Sequence, residues 1–150
     1  MRVVIQRVSR ASVRIGREVC GAIDQGLLVL VGIEEADTHD DVEWLVRKIL
    51  PMRLFPDESG RMNRSLVDVG GQILLISQFT LHASSKKGNR PSFTRAAAPA
   101  IAVPLYESMI ECFQAQLGAS IETGRFGAEM HVELCNSGPV TIIMDSKARE

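Results

Sequence analysis

Apolar residues follow two rhythms along this chain. The short runs Leu27-Leu28-Val29-Leu30-Val31-Gly32-Ile33 and Ile73-Leu74-Leu75-Ile76, each behind a glycine, predict strands buried on both faces. The second run, opened by Gly70-Gly71, reads as extended from Gly71 to His82. Counting by twos then puts Ser77 and Phe79 on one face, and Gln78, Thr80 and His82 on the other. Hydroxyl and amide groups are costly to bury without partners, so Ser77, Gln78 and Thr80 at the end of a core strand mark a candidate site. The plainer reading, that they bond neighbouring backbone where the strand ends, stays open on this stretch alone.

The other rhythm is helical. Thr38 with Asp41 matches a capping box, and Val42, Leu45, Val46, Ile49 and Leu50 follow at helical spacing. A second helix is predicted from Leu105 through Met109, Cys112, Phe113 and Leu117 to a cap at Gly118, with Pro104 at or before its first turn. Residues 1–8 predict a first strand, and Ser12 to Ile15 with Glu18 to Ile23 predict a hairpin turning at Gly16. Met52 to Phe55, between Pro51 and Pro56, is a short extended piece; residues 62–69 read as irregular and Thr123-Gly124-Arg125-Phe126-Gly127 as a loop. Met130 to Cys135 and Val140 to Asp145 alternate as two strands joined by a turn at Asn136-Ser137-Gly138-Pro139.

Composition narrows the function classes. The chain has 150 residues, which suits one domain spanning 1–150, and 45% hydrophobic with 23% charged residues is ordinary globular usage. No apolar run approaches the roughly 18 residues of a membrane span, and the amino terminus lacks a signal-peptide pattern, so a cytoplasmic protein is expected. Cys20, Cys112 and Cys135 are odd in number and far apart, which suits neither a disulfide framework nor a metal site. His39 and His131 have no ligand spacing, and no metal or cofactor is expected. A net charge of −1 leaves any nucleic-acid partner to a local basic cluster. Lys86, Lys87, Arg90 and Arg95 supply one, in a loop-like segment without acids.

Taken together, Ser77-Gln78-Phe79-Thr80-Leu81 and Asn136-Ser137-Gly138-Pro139-Val140-Thr141 resemble the paired signatures of D-aminoacyl-tRNA deacylases, which clear D-amino acids from mischarged tRNA. The resemblance runs from Gln6-Arg7-Val8 through Gly26 to Leu30, Lys48 to Phe55, Met62-Asn63 and Gly88 to Phe93, then to Leu105-Tyr106-Glu107 and Thr123 to Phe126. Ser137 departs from a position that is often acidic in that family. The resemblance implies an α+β fold: a mixed, barrel-like β-sheet core flanked by two main helices, in a homodimer. It also implies a cis Gly138-Pro139 bond, with that dipeptide entering the partner subunit's site, where its carbonyl oxygens screen the stereocentre. Asn136 and Val140 flank it.

On this resemblance the substrate is the ester of a D-amino acid, or of glycine mischarged on tRNA(Ala), with the terminal ribose of tRNA. Ser77, Gln78, Phe79 and Thr80 are the candidate catalytic residues, with backbone N–H groups near Phe79 and Thr80 stabilising the oxyanion. Lys86, Lys87 and Arg90 would hold tRNA phosphates. Thr80 as nucleophile would need His82 as base, two positions along and roughly 6–7 Å away on a strand, so assistance by the tRNA 2′-OH is preferred. A nucleic-acid-binding protein without catalysis is the main alternative. A simple esterase is disfavoured, since no Gly-x-Ser-x-Gly elbow is present.

Overall fold

The computed structural model describes residues 1–149. Its frame is one long strand, β1 (Arg2–Ile15), paired along both edges. On one edge β2 (Glu18–Ile23) and then β3 (Gly26–Gly32) run antiparallel to it, from Ile15↔Glu18 to Arg2↔Gly32. The first and second predicted strands are thus a single element, and Gly16 makes the hairpin turn in the left-handed region at φ 58°. On the other edge lies β8 (His131–Asp145), antiparallel from Arg2↔Asp145 to Arg14↔His131.

β3 continues the sheet through a parallel neighbour, β6 (Gln72–Ser77), and β6 through the two-residue β7 (Glu122–Thr123). A parallel pair needs a crossover, which here is α1 (His39–Ile49) and the small hairpin of β4 (Phe55–Pro56) with β5 (Met62–Arg64). β2 folds over toward β7 so closely that a Cβ on Gly21 would lie 2.9 Å from the Thr123 carbonyl oxygen. The mixed sheet is nearly closed.

Near-closure explains why β3 and β6 are unbroken apolar runs. Leu27, Val29, Val31, Ile73 and Leu75 point to one core, shared with Val42, Leu45, Val46 and Ile49 of α1 and Met109 and Phe113 of α2 (Pro99–Leu117). Leu28, Leu74 and Ile76 point inward to a second core with Val8, Val13 and Ile23. Each strand is therefore buried on both faces. Gly26 is required by contact: a Cβ there would stand 1.9 Å from the Gln72 carbonyl oxygen.

The α1 start follows the sequence reading. The Asp41 carboxylate accepts the Thr38 backbone N–H at 2.8 Å and its hydroxyl at 3.3 Å. Gly118 caps α2 at φ 66°, its N–H donating to Gln114. Several expectations are corrected. The second helix begins at Pro99, so Pro104 lies inside it; Pro104 is exposed, as is Ala100, the residue whose carbonyl loses its helical N–H partner to the proline. β6 ends at Ser77 and Phe79–His82 form a 3-10 turn, so Gln78, Thr80 and His82 do not share a strand face. The expected turn at Asn136 to Pro139 is absent, because residues 131–145 form one strand carrying an excursion. The region 62–69 also holds a strand, β5, and Glu122–Thr123 is strand at the edge of the expected loop.

Candidate active site

The parallel strands β3 and β6 end side by side, with Val31 paired to Ser77. There the chain leaves the sheet: the Gln78 N–H donates to the Val31 carbonyl at 2.7 Å, and the backbone turns over Phe79–His82. Beyond these strand ends opens a cleft of about 260 Å³, lined by Ser77, Gln78 and Phe79 with Val31, Ile33, Ala97, Ala102, Phe126, Met130 and Val132. The apolar members come from four separate stretches, and no local pattern distinguishes them from core. Phe126 comes from the Thr123 to Phe126 segment of the family resemblance, and its ring packs at 5.9 Å against that of Tyr106.

Turn geometry brings Gln78 and Thr80 together in a way that a strand would not. The Gln78 side-chain amide donates to the Thr80 hydroxyl oxygen at 2.5 Å. The Thr80 proton is thereby left to donate outward. The first N–H groups of a 3-10 turn have no acceptor within the turn, and those of Phe79 and Thr80 bond no acceptor among the described residues. They can serve an oxyanion. His82 does not reach Thr80. It is buried at 1% exposure with neither ring nitrogen hydrogen-bonded among the described residues, so it is packed as a core side chain and not as the base of a Thr80 nucleophile.

The second motif lies elsewhere in the protomer. β8 places Ser137, Gly138, Pro139 and Val140 opposite Arg7 alone, between the pairs Gln6↔Thr141 and Val8↔Asn136. The Gly138–Pro139 peptide is cis, and Gly138 has φ 126°. The Arg7 guanidinium donates through Nε to the Ser137 carbonyl at 2.9 Å and through another nitrogen to the Leu54 carbonyl. Asn136, Gly138, Pro139 and Val140 line no part of the Ser77 cleft. On β1 the cleft end is marked by Val3, the partner of Val31, and the excursion by Arg7. The four steps from Val3 to Arg7 span about 13 Å of strand.

Lys86, Lys87 and Arg90 are exposed, in a loop closed by reciprocal Ser84 and Ser92 backbone bonds and next to Phe93, whose ring meets Phe79 edge-on at 5.1 Å. Arg95 is separate from them: it pairs with Glu34 at 3.1 Å, an acid brought from the β3–α1 connection. Among the described residues no His, Cys, Asp and Glu cluster could hold a metal, and Cys20, Cys112 and Cys135 are free thiols. Burial pushes the Cys112 thiol up, which suits a packing role. Among the described residues no helix is long and apolar enough to cross a membrane.

The site thus sits at the mouth of a nearly closed mixed barrel with two helices, and its polar lining is an amide and a hydroxyl, from Gln78 and Ser77. The chain belongs to the family described as D-Tyr-tRNA(Tyr) deacylase, whose model matches residues 4–145. It is 57% identical to the D-aminoacyl-tRNA deacylases of Flavobacterium johnsoniae and Bacteroides thetaiotaomicron, over the full length of each. A solved structure of a protein named c-Myc DNA Unwinding Element Binding Protein is 44% identical and superposes with a TM-score of 0.92, covering 99% of this chain and 100% of that one. Another, of a probable eukaryotic D-amino acid tRNA deacylase, shares the fold at a TM-score of 0.85 with 15% identity, covering 95% and 97%. The family resemblance and the barrel-like α+β fold expected from sequence are both borne out.

Proposed function

We propose that the protein hydrolyses the ester joining a D-amino acid to the terminal ribose of tRNA, and accepts glycine mischarged on tRNA(Ala) as well. The observation that carries this reading is the pair of N–H groups at Phe79 and Thr80 that bond no acceptor among the described residues, in the turn that borders the Ser77 cleft, in a chain of the deacylase family. An aminoacyl ester is already labile, and donors preset for its tetrahedral oxyanion are worth about 10²–10³ in rate each in other hydrolases. Thr80 and Gln78 orient the substrate and Ser77 borders it, while the ribose 2′-OH helps deliver the attacking water. The absence of a base on the Thr80 hydroxyl among the described residues supports that division of labour.

Chiral selection requires a second protomer in this reading. Gly138 and Pro139, flanked by Asn136 and Val140, reach the cleft of the partner, because within one chain they stand about 13 Å of strand away. β8 supports a homodimer on its own account: among the described residues one of its edges is unpaired, and Leu134 and Ile143 are exposed, a combination that proteins cover. Fixed backbone oxygens there would collide with an L side chain and leave a D side chain free. Lys86, Lys87 and Arg90 would hold phosphates, consistent with action on many tRNAs in the cytoplasm.

One relative, 44% identical, is named for binding a DNA unwinding element, which favours one competing reading, a nucleic-acid binder without turnover. Incubating the purified protein with D-Tyr-tRNA and L-Tyr-tRNA separates the two. Release of D-tyrosine with L-tyrosine spared is expected; retention of both esters would leave only binding.

A further inference from the structure

We infer that Arg2, the first residue of β1, is a positioning residue for the reaction proposed above. It acts by clamping the 3-10 turn that carries Thr80. Its guanidinium is gripped on one side by the Asp145 carboxylate, which accepts from Nε at 3.1 Å and from a terminal nitrogen at 3.0 Å. The remaining terminal nitrogen donates to the Leu81 carbonyl at 2.8 Å. Leu81 is in the turn, one residue after Thr80, and its own N–H donates to the Gln78 carbonyl at 3.2 Å. The chain of contacts therefore runs from the last residue of β8, through a planar cation, to the backbone that aims the Phe79 and Thr80 N–H groups.

The turn needs an external hold because it has little of its own. It is four residues long, and Phe79 at its start is exposed. A 3-10 turn of that length makes few internal bonds and poor ones. A charge-assisted bond to one of its carbonyls is the strongest kind available to neutral backbone, and the fork of an arginine can hold a carboxylate and a carbonyl at once. A lysine cannot grip both in the same way. Arg2 makes no hydrogen bond to the Thr80 hydroxyl among the described residues and does not line the cleft, so its effect passes through the turn.

The test compares Arg2→Met, Arg2→Lys and Asp145→Asn with Lys147→Met in steady-state deacylation of D-Tyr-tRNA. Lys147→Met removes the ion pairs next along the same tail, Lys147 to Asp41 at 2.8 Å and to Asp37 at 3.9 Å, neither of which involves the turn. Arg2→Met is expected to lower kcat about tenfold with KM within about twofold, and Arg2→Lys and Asp145→Asn to lie between it and the parent protein. Lys147→Met should leave kcat unchanged. Amide hydrogen exchange should quicken over residues 78–83 in Arg2→Met and not in Lys147→Met. Unchanged kcat in Arg2→Met, or an equal loss in Lys147→Met, overturns the inference. If Arg2→Met does not fold, unchanged kcat in Arg2→Lys and Asp145→Asn does the same. Failure of the parent protein to release D-tyrosine would instead overturn the deacylase reading.

Discussion

Arg7 and Ser137 are joined across β1 and β8 by an Nε to carbonyl bond of 2.9 Å, at the one place where four residues of β8 stand opposite a single residue of β1. The guanidinium ties that excursion to the Leu54 carbonyl as well, so three stretches of chain meet at one cation. Arg7→Met should release residues 137–140 and lower kcat/KM on D-Tyr-tRNA by about 10- to 100-fold, with L-Tyr-tRNA less well spared. Gly138→Ala should do at least as much, since its Cβ would lie 2.8 Å from the same guanidinium at a backbone φ of 126°. Deacylation assays on both enantiomers, beside a thermal melt, check this.

Gly32 faces the 3-10 turn from β3. A Cβ there would stand 2.9 Å from the Leu81 Cβ, 3.0 Å from the Gln78 carbonyl oxygen and 3.0 Å from the His82 ring. Gly32→Ala should therefore displace the turn while the strand still forms, costing about 1–3 kcal/mol in stability and at least tenfold in kcat. Parallel denaturation and activity measurements distinguish this from a neutral change.

The Thr80 hydroxyl accepts from Gln78 and has no base beside it among the described residues. If the ribose supplies the assistance, D-Tyr-tRNA ending in 2′-deoxyadenosine should react at least about 100-fold more slowly, and Thr80→Ala should cost less than that. Single-turnover rates with the two substrates decide it. A larger loss from Thr80→Ala would restore Thr80 as the nucleophile.

Lys87→Glu should raise KM for charged tRNA about fivefold and flatten its salt dependence by about one counterion, leaving kcat alone. A titration of KM against potassium chloride measures both. Arg95→Glu should act differently, through its pair with Glu34, by loosening the β3–α1 connection.

Acid should weaken the α1 start. Burial pushes the Asp41 carboxyl up, yet its bonds from Lys147, Ser146 and Thr38 outweigh this and bring it down to about 2. A carboxyl held below its unfolded value stabilises the fold above that value, near 3.9, and the contribution disappears as pH falls through about 2. Asp41→Asn should thus be less stable than the parent by on the order of 2 kcal/mol at pH 7, with the gap closing between about pH 4 and pH 2. Urea titrations across that range test the sign.

Much of the fold could be read along the chain because its causes are local. The Thr38 and Asp41 cap and the left-handed Gly16 and Gly118 follow from neighbours a few positions apart, and the double-sided burial of β3 and β6 shows in their own unbroken apolar runs. The two site motifs were also legible, as residue types. Their arrangement was not. Alternation gave no sign that β6 ends at Ser77, because the Gln78 bond to Val31 and the close pass of Gly32 bend the backbone only once β3 lies beside it. Asn136 to Pro139 carries a turn's residues, but pairing with β1 on both sides and the Arg7 side chain keep it within one strand. The apolar lining from four stretches and the salt link that removes Arg95 from the basic cluster arise from contacts between distant residues. Local chemistry selects which elements form; only packing between elements decides where each one stops and what it faces.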